Sequence, residues 1–128
     1  MAYANSAKSY AKNELHSQVN ERSSEELISL LFDRASVLSA RMLSLHDHTQ
    51  RESYVESVNG LVKIVLGLRS ILDMEKGGNV SEALYTSYSA IASCAFKQIR
   101  NPNKTDIEKL SFALEELRQA WKSCIEAA

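Results

Sequence analysis

Apolar residues recur along most of this chain at steps of three and four, the spacing that gathers them on one face of an α-helix. After Ser23-Ser24-Glu25-Glu26, the residues Leu27, Leu31, Ala35, Leu38, Met42 and Leu45 form one stripe. Ser23 is placed to cap the amide of Glu26 while Glu26 reaches back, and acidic residues suit a helix's first turn. Ile28, Leu30, Phe32, Val37 and Leu43 fall outside that stripe, so this first helix is apolar on more than one side. A second helix is predicted from about Glu52 to Lys76. Val55, Val58, Val62, Val65, Leu68 and Leu72 make one stripe there, and Leu61, Ile64, Leu68 and Ile71 its neighbour. Gly60 and Gly67 stand on nearly the same side, a notch that suits close approach by another helix.

A third helix is predicted from about Val80 to Arg100. Leu84, Tyr88, Ile91 and Ala95 lie on one stripe and Tyr85, Ala92, Phe96 and Ile99 on another. Asn101-Pro102-Asn103 ends it, because proline disfavours helical geometry at the residue before it. Thr105-Asp106-Ile107-Glu108 reads as a second capping box. Ile107, Leu110, Leu114, Leu117, Trp121 and Cys124 then follow at regular helical steps. Four helices with short connections pack antiparallel to their sequence neighbours. The expected fold is therefore all-α: an antiparallel up-down four-helix bundle over residues 23–128, preceded by an N-terminal arm at 1–22. In that arm Tyr3, Tyr10, Leu15 and Val19 are the only large apolar residues after Met1. A short helix around Ala7 to Gln18 would have too few anchors to be stable alone.

The stretch "ILDMEKGGNV" at 71–80 is the expected corner between the second and third helices. Gly77-Gly78 follows a helix rather than a strand and precedes no Lys-Ser/Thr, so it matches no phosphate loop. The pair reads as a left-handed C-cap, with Asn79 or Ser81 capping the next helix. This reading leaves Asp73 and Glu75 in a last turn, where acidic side chains oppose the helix dipole. A partner contact or pairing with Lys76 would account for them.

Composition narrows the function. The chain has 128 residues, 45% hydrophobic and 24% charged, as expected for one folded domain. Fifteen basic against 16 acidic residues give a net charge of -1, so no basic field is available for nucleic acid. No apolar run approaches a membrane span, and "MAYANSAKSYAKNE" lacks the apolar core of a secretory signal. The expected compartment is the cytosol. Cys94 and Cys124 have no metal-ligand spacing. In an antiparallel bundle they lie roughly 20 Å apart, too far for a disulfide, and read as free, buried thiols. His46-Asp47-His48 reads as a solvated loop rather than a metal site. No nucleophile–base pair and no Glu-x-x-His is present, so neither an enzyme nor a cofactor is expected.

Several stretches together resemble the FliS family of flagellar export chaperones. "SSEELISLLFDRA" is similar to that family's opening helix motif, "LDMEKGG" to its inter-helix signature, and "ALEELRQAWK" to its terminal helix. Tyr10 corresponds to a tyrosine of the family's arm, and Leu84 and Tyr88 fit its leucine-tyrosine pattern. The basic Arg-Arg-Leu turn that usually comes next is replaced here by "SAIASCAFKQIR", and the next connection carries a proline. The resemblance implies a cytoplasmic chaperone that binds the C-terminal segment of flagellin in apolar grooves. Binding of that kind prevents premature polymerisation and delivers the client to the type III export apparatus, with an export-gate component as a further partner.

The doubled apolar stripes of the first two helices fit such a groove, since a four-helix bundle needs only about three apolar positions in seven. Leu27, Leu30, Leu31, Ile64, Leu68 and Ile71 are the expected partner-binding residues, with Tyr10 as the plug contributed by the arm. The alternative is a structural or regulatory bundle that homodimerises through the same surface.

Overall fold

A computed structural model describes residues 24–47 and 49–127. The expected arm with Tyr10, the capping Ser23, and His48 lie outside these residues. The described residues form four helices: α1 (Ser24–Leu45), α2 (Arg51–Ser70), α3 (Met74–Lys97) and α4 (Lys104–Ala127). The described residues contain no strand. Contacts run α1 with α2, α2 with α3 and α1 with α4, while α3 and α4 meet much more sparsely. This is the expected all-α four-helix bundle, closed tightly on three seams and loosely on the fourth.

Cross-helix pairs give the direction of packing. Tyr54 near the start of α2 donates to the Gln98 carbonyl just past α3 at 2.8 Å. Arg69 at the end of α2 donates to Ser89 at 3.0 Å and lies 4.8 Å from the Tyr85 ring centre. Between α1 and α4, Trp121 donates to Ser29 at 2.9 Å, Arg118 to Asp33 at 2.8 Å, and Ser111 stands 3.2 Å from Ser39. In both sets, later positions on one helix pair with earlier positions on the other, so these neighbours are antiparallel.

The core takes the expected main stripe of α1, with Leu31, Ala35, Leu38 and Met42 buried. On α2 both stripes are buried: Val58, Val62 and Val65 together with Leu61, Ile64 and Leu68. The reason is topological, since α2 has a close neighbour on each flank. On α3 the first stripe wins. Tyr88, Ile91 and Ala95 are buried with Ala92, while Tyr85 and Phe96 are exposed. Gly60 does face a neighbouring helix, and a Cβ there would lie 3.1 Å from Leu38 Cδ1.

The α2–α3 corner differs from the sequence reading. The second helix stops at Ser70, not Lys76, and Ile71-Leu72 form the turn. Asp73 is the N-cap of α3: its Oδ1 accepts from the amides of Glu75 and Lys76 at 3.1 and 2.9 Å. Asp73 and Glu75 are thus at a helix beginning, where the dipole favours them, and the apparent conflict disappears. Gly78 does adopt a positive φ (53°, with ψ -129°), but it breaks α3 near its start rather than ending α2. Gly77 packs directly on Ser81, whose Oγ donates to the Asp73 carbonyl at 2.9 Å. A Cβ at 77 would fall 1.7 Å from that Oγ and 2.7 Å from Ser81 Cβ.

The α3–α4 turn is held by Gln98, which is 3% exposed. Its Oε1 accepts from the Asn103 amide at 2.8 Å and its Nε2 donates to the Cys94 carbonyl at 3.3 Å. Asn103, not Thr105, starts α4, with its Oδ1 accepting from the Asp106 amide at 3.0 Å. Cys94 is half-buried and Cys124 exposed, and both are free, so the thiols are unpaired as expected but not buried.

The corner assignment has a direct test. Asp73→Ala should lower stability by about 1 kcal/mol through loss of the cap, and Asp73→Asn by only a few tenths. Gly77→Ala should cost about 1–3 kcal/mol because Ser81 has to move. Urea unfolding monitored by circular dichroism measures all three. If residue 73 instead closed α2, removing its charge would leave stability unchanged or raise it.

Candidate functional site: an apolar cleft at one end of the bundle

An up-down bundle brings the beginnings of α1 and α3 to the same end as the finishes of α2 and α4. There the four helices enclose a cleft of about 250 Å³. Ile28 and Phe32 come from α1, Leu68 from α2, and Ile71 and Leu72 from the turn after it. Val80, Leu84 and Tyr88 come from α3, and Leu117, Ala120, Trp121 and Cys124 from α4. Among the described residues no charged side chain lines it. Val80 is 69% exposed and marks its open rim.

Each wall has a local cause. The cap at Asp73 and the break at Gly78 start α3 beyond the turn, so Val80, Leu84 and Tyr88 face the ends of α2 and α4. Trp121 keeps its indole in the cleft wall by donating Nε1–H to Ser29, which satisfies its single polar atom. Phe32 and Tyr88 meet at 6.5 Å between ring centres, tilted by 45°. Burial pushes the Tyr88 phenol up to about 12, because the anion would lose its hydration in this surrounding.

The expected site residues are distributed unevenly. Leu68 and Ile71 both line the cleft. Leu30 is 39% exposed on the surface of α1. Leu27, Leu31 and Ile64 are buried, Leu31 and Ile64 within the main core. Ile64 also borders a notch of about 260 Å³ between α1 and α2, beside Gly60 and rimmed by Arg34, Arg41, Lys63 and Glu56. The remaining cleft residues were not singled out from the sequence. They sit in end turns of helices, and the available signal was topological, because alternating helix direction gathers those turns at one end.

A wider depression of about 960 Å³ lies at the α3–α4 turn, with Cys94, Lys97, Arg100 and Asp106 among its lining. At the end of α1, His46 Nδ1 donates to the Leu43 carbonyl at 2.7 Å, an ordinary helix-end contact. Among the described residues no group of three or more His, Cys, Asp or Glu is arranged to hold a metal. No described helix is long and apolar enough to cross a membrane.

The fold and its cleft together define an all-α helical bundle with an apolar cleft at one end. Its sequence matches the model of the family described as Flagellar protein FliS over residues 6–128, and the chain belongs to that family. It is 27% identical over 123 residues to the flagellar secretion chaperone FliS of Salmonella typhimurium strain LT2, covering 95% of this chain and 91% of that protein. It is 25% identical over 126 residues to the flagellar secretion chaperone FliS of Escherichia coli K12, covering 98% and 93%. The family is one of chaperones, not of enzymes.

Burial separates two groups among these residues. Leu31→Ala and Ile64→Ala should each cost about 2–5 kcal/mol by leaving core cavities, whereas Leu30→Ala should stay within about 0.5 kcal/mol. Urea midpoints measure the difference. Tyr88 adds a pH signature. Its folded-state pKa lies above the unfolded value of 10.0, so its contribution is complete below pH 10 and is lost as pH rises toward about 12. Stability should fall there by up to about 1.4 kcal/mol per pH unit from this group. Tyr88→Phe should flatten that decline when urea midpoints are compared between pH 9 and 12. Burial also raises Tyr54, so a residual slope is expected.

Proposed function

We propose that this chain is a cytoplasmic export chaperone that binds the C-terminal segment of flagellin. The observation that carries the reading is the apolar cleft, open to solvent at the Val80 rim, in a member of the FliS family. Two relatives are named flagellar secretion chaperones, which supports a flagellar client. An amphipathic segment laid over the cleft would bury its apolar residues against Leu68, Ile71, Val80 and Leu84 while its polar side stays wet. Recognition of this kind needs shape and apolar area, with no bond made or broken.

Covering flagellin's terminal segment would keep it from assembling before export and hold it ready for the export apparatus. Within this reading, Leu30 offers a further contact along α1. Leu27, Leu31 and Ile64 would touch the client only where α1 and α2 are levered apart, and otherwise act by holding those helices in place. The arm at 1–22, with Tyr10 as its plug, would cover part of the apolar surface until the client arrives.

Calorimetric titration with a synthetic peptide of the flagellin C-terminal segment tests the proposal. Trp121 supplies a second readout, because it is the chain's one tryptophan and lines the cleft. Binding should perturb its fluorescence. Ile71→Asp should weaken binding at least tenfold with helical content unchanged, since Ile71 is only half-buried. No heat and no fluorescence change at roughly 100 μM peptide, where a micromolar complex would be saturated, would reject the flagellin reading.

A further inference from the structure

Tyr88 is the anomaly of the cleft. It is 5% exposed, yet its hydroxyl has no hydrogen-bond partner among the described residues. The other polar aromatic groups in the interior are satisfied: Tyr54 donates to the Gln98 carbonyl and Trp121 to Ser29. A buried hydroxyl left without a partner costs about 1–3 kcal/mol. A phenylalanine would fill the same space without that cost. Tyr88 also lines the cleft to which all four helices contribute, so an occupant of the cleft can reach it.

We propose that Tyr88 is a specificity-determining residue of this cleft, its hydroxyl selecting a segment that brings an apolar side chain together with a free backbone carbonyl. This rests on the chaperone reading for the identity of the client, though not for the chemistry. The size fits, because an apolar cavity of ~150 Å³ holds a benzene and this one is about 250 Å³. The acceptor must be neutral. Among the described residues no cation lines the cleft, so a carboxylate there would be desolvated without compensation. Carbonyls inside a helix are already engaged, and those left over belong to an extended stretch or to a helix's last turn. The client therefore enters the cleft at a place where its helix ends or has not begun. A continuous helix laid across the opening would leave the Tyr88 hydroxyl unsatisfied. A phenol is protonated across the physiological range even at its ordinary value of 10.0, so the hydroxyl is available as a donor, and burial only raises it further.

Two small probes of matched shape test the chemistry without flagellin. Acetophenone carries a carbonyl on an aromatic ring, and isopropylbenzene replaces that carbonyl by a methyl-bearing carbon. Each is titrated into the full chain and into Tyr88→Phe by two-dimensional NMR, with the flagellin peptide titrated in parallel. Tyr88→Phe should weaken acetophenone and the peptide about threefold to tenfold while leaving isopropylbenzene within about twofold. Its urea midpoint at neutral pH should equal or exceed that of the native chain, which excludes loss of fold as the cause. Equal responses of the two probes, or failure of both to bind the native chain, would overturn the assignment. If the native chain binds the peptide and Tyr88→Phe does so equally well, the hydroxyl does not select the client. Loss of peptide binding by the native chain, with the probe difference intact, would remove flagellin as the client and leave the hydroxyl's role standing.

Discussion

The structure turns on a contact that depends on a missing side chain. At residue 77 the backbone runs against Ser81 so closely that any Cβ would overlap the serine. Ser81 uses the space to donate to the Asp73 carbonyl, which also accepts from the Gly77 amide at 2.8 Å. Asp73 in turn caps the helix with its side chain. Three residues thus tie the corner with both backbone and side-chain atoms, and Gly78 supplies the reversal in φ that L side chains rarely adopt. This corner sets the course of the rest of α3. Val80, Leu84 and Tyr88 form one wall of the cleft because the chain leaves the knot in that direction.

The second determinant is the inequality of the helix seams. Between α1 and α4, three polar pairs are spaced along the helices: Ser29 with Trp121, Asp33 with Arg118, and Ser39 with Ser111. The exposed ion pair contributes at most about 1 kcal/mol. The Trp121 bond does more for position than for stability, because it fixes a large ring in the cleft wall. Ser39 is 1% exposed; its Oγ donates to the Ser36 carbonyl at 3.0 Å and also meets Ser111, so no buried polar cost is left at the middle of the seam. Between α3 and α4 contacts are few, and the turn that joins them is held by Gln98. A bundle built this way yields most readily along the α3–α4 side, and both of those helices supply walls of the cleft.

Helix number, order and the main core stripes were legible because period and capping residues survive any packing arrangement. The corner departs from the sequence pattern for a physical reason. Ile71 and Leu72 continue the apolar stripe of α2 without interruption, so periodicity alone runs past the true end at Ser70. The warning was electrostatic. Two acidic residues in a supposed last turn are the pattern of a first turn, and Asp73 is the cap that makes it one. The same displacement, smaller, affected α4. Asn103 caps where Thr105 was expected, since both precede the apolar run and only backbone geometry separates them. Core and groove residues on α2 could not be told apart, because a helix flanked on both sides buries both stripes.

Placing an apolar cleft at the end of the bundle reconciles stability with accessibility. Mid-helix positions such as Val58, Leu61 and Val65 are fully enclosed, and opening them would require parting helices along their length. End turns have fewer neighbours, so large apolar side chains there remain reachable without unfolding the core. The cost is an interior that is incompletely satisfied, and Tyr88 bears it most plainly. A phenylalanine at 88 would make a more stable free protein. On the proposed reading, a tyrosine makes one whose cleft is better matched to a partner than the described residues alone make it, because the missing hydrogen bond can be restored by an occupant. Differential satisfaction of that kind raises the affinity for the right segment relative to a merely apolar one, since an apolar occupant leaves the hydroxyl as it found it. On the proposed reading, the cleft is therefore selective through the Tyr88 hydroxyl, which has no partner among the described residues.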